Sequence, residues 1–235
     1  MAEHDSDKLR ILYEDNHLIA VYKEASELSQ GDRTGDITLD EKVKRYIAKK
    51  YNKPGDVFLG IVHRLDRPVS GVMLYARTSK ALKRLNRMFQ EREVQKIYWA
   101  VTGDRPPADE ATIEHFIKKN EKQNKSYVYD HEVKGSRKAS LTYKLIGRSQ
   151  RYYLIEVQLH TGRHHQIRAQ LAAIGCPIKG DLKYGAKRSN EDGSISLHAR
   201  SLAFKHPVTK EEIRIIAPLP ENGIWKIFKN FDSKK

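Results

Sequence analysis

The run Val72-Met73-Leu74-Tyr75-Ala76 leaves few options for residues 70–77. A short apolar run bounded by turn residues reads as a buried strand. Ser79 follows at the position of a helix cap, and the helix it opens carries Leu82, Leu85, Met88 and Phe89 on one face and Lys83, Arg84 and Arg87 on another. Before the strand stands Pro68-Val69-Ser70-Gly71, a turn, and before the turn His63-Arg64-Leu65-Asp66-Arg67. Asp66 is therefore set at the rim of a core element, where sites are commonly built. Cations on both sides, Arg64 and Arg67, favour the charged form of its carboxylate. An ionised carboxylate held in place is a nucleophile or general base rather than an acid.

The rest of the chain supplies strands and helices in segregated runs. Residues 9–14 and 17–23 read as short strands joined by Asp15-Asn16, a good hairpin turn. Thr38-Leu-Asp-Glu41 has the form of a capping box, followed by Leu39, Val43, Tyr46 and Ile47 at helical spacing and a stop near residues 52–55. Strands are expected at 97–102, 139–146, 152–159, 197–205 and 212–217, with 118–138 the least regular part, a mobile basic hairpin or loop. Thr161 to Gly175 reads as a helix with Ile167, Leu171 and Ile174 on its inner face and Gly175 as its stop. The expectation is an α+β fold on a mixed, largely antiparallel sheet. It forms one domain over residues 9–235, after a flexible tail at 1–8.

Charge narrows the partner. The chain of 235 residues has 44 Lys and Arg against 30 Asp and Glu, a net charge of +14. Such a surplus points to a polyanion. Between residues 118 and 151 there are ten Lys or Arg and three acids, with Tyr127, Tyr129 and Tyr143 interleaved. Stacking aromatics among cations suit RNA better than lipid. No apolar run approaches the roughly 20 residues needed to cross a bilayer, and the N-terminus is acidic and polar, unlike a targeting peptide. A cytoplasmic protein is expected. The lone Cys176, in Ile-Gly-Cys-Pro-Ile, fits a reducing compartment and reads as a small buried hydrophobe.

Two further constellations carry polar groups. On a helix starting near Gly162, Arg163, His164, His165, Gln166 and Arg168 would combine backbone N–H groups with cations, a ready anion site. Adjacent histidines on a helix diverge by about 100° from a repeat of roughly 3.6 residues, so the pair makes a poor metal site. Lys96-Ile97-Tyr98-Trp99-Ala100 places a tyrosine in a strand. Glycine-rich phosphate loops are absent, so nucleotide cofactors find no support.

Taken together, His63-Arg64-Leu65-Asp66 with Ser70-Gly71, Lys96-x-Tyr98-x-Ala100, Thr161-Gly-Arg163-His-His165-Gln-Ile-Arg168 and Gly175-x-Pro177-Ile-x-Gly180-Asp-x-x-Tyr184-Gly185 resemble the signature of the RluA-type pseudouridine synthases. The segment from Ile11 to Lys23 resembles the first motif of that family, and the resemblance runs in order from about residue 9 to 220. It implies a mixed-sheet catalytic domain with a central RNA-binding cleft, flanking helices, and isomerisation of uridine to pseudouridine in RNA, with ribosomal and transfer RNA both open; a monomer is expected. No cofactor or metal is implied. Position by position, Asp66 resembles the catalytic aspartate, Tyr98 the ring that stacks on the flipped uracil and Arg168 the basic partner of the aspartate. Arg64 resembles the arginine that holds the base extruded, and Arg163 and Gln166 fall in the substrate-binding motif. A uridine must leave the stack to be reached. The carboxylate then attacks the sugar C1′ or the uracil ring, or abstracts the C2′ proton, and all three routes remain open.

Lys23-Glu-Ala-Ser stands in place of the family's usual Lys-Pro-Ala-Gly, and Gln170 where a histidine is frequent. Residues 1–8 leave no room for the separate N-terminal RNA-binding domain of many members, so grip is expected from the 118–151 region. The alternatives are a non-catalytic RNA-binding or chaperone module, which has no need of a carboxylate facing phosphates, and a nucleoside hydrolase. A hydrolase generally needs two carboxylates across the bond, and only Asp181 is on offer in the later motifs.

Overall fold

The structure, a computed structural model, describes residues 9–31, 36–221 and 223–232, so the expected tail at 1–8 lies outside the described residues. The fold is α+β, and the chain falls into two compact units: Met1–Val94 with Leu202–Ala217, and Gln95–Ser201 with Pro218–Lys235.

In the first unit, β1 (Ile11–Glu14) and β2 (Leu18–Lys23) form the expected hairpin. The Asp15 carboxylate closes it by accepting the His17 and Leu18 N–H groups, both at 2.7 Å. The apolar run becomes β4 (Ser70–Ala76), buried along its whole length, with β3 (Gly60–Ile61) beside it. β2 pairs antiparallel with β4 from Leu18↔Ala76 to Lys23↔Gly71. That register puts Lys23 beside the turn that leads into β4.

Helix α1 (Leu39–Lys50) buries Leu39, Val43 and Ile47, and the Glu41 carboxylate reaches back to the Thr38 N–H at 3.4 Å. Helix α2 (Ser79–Gln90) starts as expected, but the cap is Thr78 rather than Ser79. The Thr78 hydroxyl accepts the Ala81 N–H at 3.2 Å, while Ser79 is already the first helical residue. Both residue types can cap, and the chain selects the one whose backbone is still extended when β4 ends.

In the second unit the strands β5 (Gln95–Thr102), β9 (Tyr153–Leu159), β8 (Arg137–Arg148), β6 (Glu110–Asn120) and β7 (Lys125–Tyr129) lie in that order. All four pairings are antiparallel. The segment 118–138 is therefore more regular than expected. β6 and β7 pair in register from Phe116↔Tyr129 to Asn120↔Lys125. Lys118 and Lys119 follow the buried Ile117 and are both exposed, and Lys125 stands two residues before Tyr127, on the same side of its strand.

Alternation along β5 sends Trp99 and Val101 into a cluster with Leu154, Leu219, Trp225 and Phe228. Tyr98 goes to the opposite face, with Val157 and Tyr143 as register partners. Helix α3 (Gln166–Ala173) lies on that second face, where the Gln170 amide reaches His115 Nδ1 at 3.0 Å. The short α4 (Lys229–Asp232) closes the first face, with Phe231 where a side chain at Gly147 would otherwise stand. Strand β10 (Leu197–Lys205) is shared, its first half in the second unit and its second half in the first. β11 (Glu212–Ile216) pairs with it.

Candidate active site

Asp66 and Arg64 belong to the first unit; Tyr98, Arg163, Gln166 and Arg168 belong to the second. Each group is built differently.

Around Asp66 the backbone is held from below. Its carbonyl accepts the Val69 N–H at 3.0 Å, closing the turn before β4. Lys23, with no exposed surface, donates from Nζ to the carbonyls of Val69 (2.7 Å), Glu24 (3.0 Å) and Arg67 (3.1 Å). Those three bonds match the three hydrogens of an ammonium. Burial pushes the Lys23 pKa down to about 8, against the pull of Glu27, Asp66 and Glu24. On the other flank the Ser29 hydroxyl donates to the Leu65 carbonyl at 2.7 Å and accepts the Leu65 N–H at 3.2 Å. His63 accepts the Leu74 N–H at 2.9 Å and stacks on Phe89. The side chain of Asp66 thus rises half-buried from a loop tied at Leu65, Arg67 and Val69.

The two arginines that flank Asp66 in sequence part ways in the structure. Arg67 turns to the Asp36 carboxylate at 3.1 Å and to the Ser26 carbonyl. Arg64 is exposed, as a residue reaching toward nucleic acid would be.

In the second unit the expected helix starts later than Gly162. His164 and His165 form a turn closed by the Gln166 N–H to Arg163 carbonyl bond at 3.1 Å, His165 has a left-handed backbone (φ 52°), and α3 begins at Gln166. Gln166 itself causes the delay. Its amide oxygen accepts from the Thr161 hydroxyl (2.8 Å) and the Arg163 N–H (3.0 Å), and its amide nitrogen donates to the Ser140 carbonyl (3.1 Å). The Arg163 N–H that the expected anion site would have offered is thereby taken by the chain. The Arg163 guanidinium donates to the Lys138 carbonyl at 3.0 Å. Gln166 and Arg168 are buried, so the polar residues here line no solvated helical face.

Arg168 is met by Asp181, a residue that sequence reasoning had weighed only as a second hydrolytic acid. The pair is bidentate, Nε to Oδ2 at 2.7 Å and Nη2 to Oδ1 at 2.9 Å, with both residues buried. Burial is tolerable for such charges only when they are paired and hydrogen-bonded. Tyr184, three residues further on, lays its ring 5.1 Å from the guanidinium carbon. Tyr98 is half-buried on the face that carries α3. Lys23, Ser29 and Tyr184 were the other residues that sequence reasoning left without a role.

Similarity to known proteins agrees with this architecture. The sequence profile described as RNA pseudouridylate synthase matches residues 17–173. The ribosomal large subunit pseudouridine synthase C of Rickettsia prowazekii (strain Madrid E) is 34% identical over 212 residues, which is 89% of this chain and 68% of that protein. The uncharacterized RNA pseudouridine synthase YlyB of Bacillus subtilis (strain 168) is 33% identical over 217 residues, 91% of this chain and 70% of that protein. Among solved structures, human RNA pseudouridylate synthase domain containing 4 shares the fold with a TM-score of 0.77 at 23% identity, covering 90% of this chain and 89% of its own. With the profile spanning well over half the sequence and these relatives extending along most of it, the chain belongs to the RNA pseudouridylate synthase family.

Proposed function

We propose that Asp66 carries the isomerisation of uridine to pseudouridine in RNA, that Tyr98 receives the extruded uracil and that Arg168 supplies the positive charge at the reacting carboxylate. Arg64 holds the base out of the stack. The reaction breaks the N1–C1′ bond, forms C5–C1′, releases the C5 proton and returns a proton to N1, so atoms balance without oxidant or co-substrate. The observation that carries the reading is the clamped loop under Asp66, whose backbone is tied by Lys23 and Ser29. A reacting group held within a fraction of an ångström gains rate by orientation alone.

Relatives described as ribosomal large subunit synthases favour ribosomal RNA over transfer RNA. Grip comes from the β6–β7 hairpin, where Lys118, Lys122 and Lys125 stand with the exposed Tyr127. The test compares pseudouridine maps of total RNA from cells with the protein, without it, and with Asp66→Ala added back. One or more uridines of the large ribosomal RNA should lose the modification in the second and third samples. Identical maps in all three would overturn the reading. For the grip, replacing Lys118, Lys122 and Lys125 by Gln should lower the slope of log affinity against log salt by about 2, at roughly 0.7–0.9 per neutralised phosphate contact. An unchanged slope would remove the hairpin from the interface.

A further inference from the structure

The segment Gly180-Asp-x-x-Tyr184-Gly185 has so far no function beyond its contact with Arg168. Its geometry is tightly determined. Tyr184 N–H bonds to the Asp181 carbonyl at 3.0 Å, so both side chains leave one 3-10 turn, Leu182–Tyr184, with Asp181 at its head. Gly185 ends that turn at φ 99°, and Gly180 precedes it at φ 90° with the Ser194 carbonyl 2.8 Å from where a Cβ would stand. The turn therefore presents a carboxylate and a phenol to the same guanidinium.

The phenol does a second thing. Its hydroxyl accepts the Ser126 N–H at 2.8 Å, an outward-facing amide of the edge strand β7, and lies 3.0 Å from His165 Nδ1. Beside this contact, Ser126 Oγ donates to the His164 carbonyl at 2.7 Å, and Lys183 Nζ donates to the Asn124 carbonyl at 3.1 Å. Lys125 Nζ sits 5.3 Å from the Tyr184 ring centre and 5.6 Å from that of Tyr127. One tyrosine thus touches the basic hairpin with its hydroxyl and Arg168 with its ring.

We propose that Asp181 and Tyr184 are positioning residues with separable effects. Asp181 fixes the orientation of the Arg168 guanidinium, and the Tyr184 hydroxyl fixes the β6–β7 hairpin in its RNA-gripping position. The inference rests on the assignment of grip to that hairpin. A hairpin docked only part of the time binds RNA with an apparent affinity reduced by the docked fraction. An arginine that wanders from its productive orientation instead slows the chemical step. The two functions meet on one turn, yet each hangs on a different atom.

The test uses the full chain and bulk RNA from cells lacking this protein and grown on uridine tritiated at C5, so that tritium release reports turnover whichever RNA is modified. Tyr184→Phe removes only the hydroxyl and leaves the ring on Arg168. It should raise KM about tenfold, the worth of one to two hydrogen bonds, and leave kcat within twofold. Asp181→Asn should lower kcat by about 100-fold with RNA affinity retained. Should Asp181→Asn fail to fold, Asp181→Glu keeps the charge and displaces the carboxylate, and the same loss of kcat is expected. In an Arg168→Gln background, Asp181→Asn should cost nothing further in kcat.

Loss of kcat with KM intact in Tyr184→Phe would overturn the proposal. So would an additive loss in the double variant. The salt slope of the lysine variants separates the two readings. If that slope is unchanged, the hairpin grip fails. If it falls while Tyr184→Phe is silent, the grip stands and the coupling fails.

Discussion

Replacing Lys23 by methionine keeps a long stem in place and removes the ammonium from under the Asp66 loop. Each of the three bonds it donates is of the charged kind, worth about 1.5–3 kcal/mol. Against them stands the burial that, net of its acidic neighbours, pushes the group from 10.5 to about 8, a penalty of about 3.5 kcal/mol at roughly 1.4 per pH unit. The balance predicts a net loss of about 3 kcal/mol, or about 6–12 °C in Tm for a chain of this size.

Activity should fall further than stability, because the carbonyls released belong to the loop that carries Asp66. The pH dependence gives the sharper signature. Below pH 8 Lys23 is charged in both folded and unfolded chains, and its burial cost is constant. Between about 8 and 10.5 the unfolded chain holds the proton that the folded chain has given up, so the stability of the wild type rises with pH relative to Lys23→Met. Over the same range the neutral amine has one donor fewer for three carbonyls, so the turnover of the wild type should decline. Stability and rate would then move in opposite directions. Urea denaturation and single-turnover tritium release at pH 7.0 and 9.5 measure both. A variant with unchanged kcat and the same alkaline decline would refute the clamp.

Three further outcomes follow from local geometry. Thr78→Ala should cost about 1 kcal/mol and Ser79→Ala less than about 0.5 in urea denaturation; equal losses would return the α2 cap to Ser79. Gly180→Ala should destabilise by about 2–4 kcal/mol, because its backbone is left-handed and the Ser194 carbonyl is in the way, and a melting temperature equal to the wild type would contradict that packing. Burial raises the Cys176 thiol to about 11, so labelling by a disulfide reagent at pH 8 should follow unfolding; rapid labelling of the native protein would show the thiol to be accessible.

Most strands and helices could be read from sequence because their signals are local. The β2–β4 pair and α1 declare themselves through runs of buried residues and a reachable cap. What escaped depends on partners distant in the chain. Gln166 delays α3 because Thr161 and Ser140 hold the two ends of its amide, and nothing in a helical pattern announces that. Asp181 was visible as an acid, but its role needs the fold that brings it to Arg168. Lys23 ends an apolar strand as a charged residue would at a surface; only the register with Gly71 shows it buried beneath a turn. The motif residues Asp66, Tyr98 and Arg168 were found through resemblance, and their supports were not.

Each compact unit is completed by a segment that lies more than a hundred residues after the unit begins. The first needs Leu202–Ala217 and the second needs Pro218–Lys235. During synthesis, therefore, the segment bearing Asp66 leaves the ribosome long before its own unit can close, and Trp99 waits for Trp225 and Phe228 to cover it. Folding from the N-terminus onward, the usual order for separate domains, is denied to this chain. Until residues 202–228 emerge, a strongly cationic nascent chain is tethered, incompletely folded, to a particle made largely of RNA.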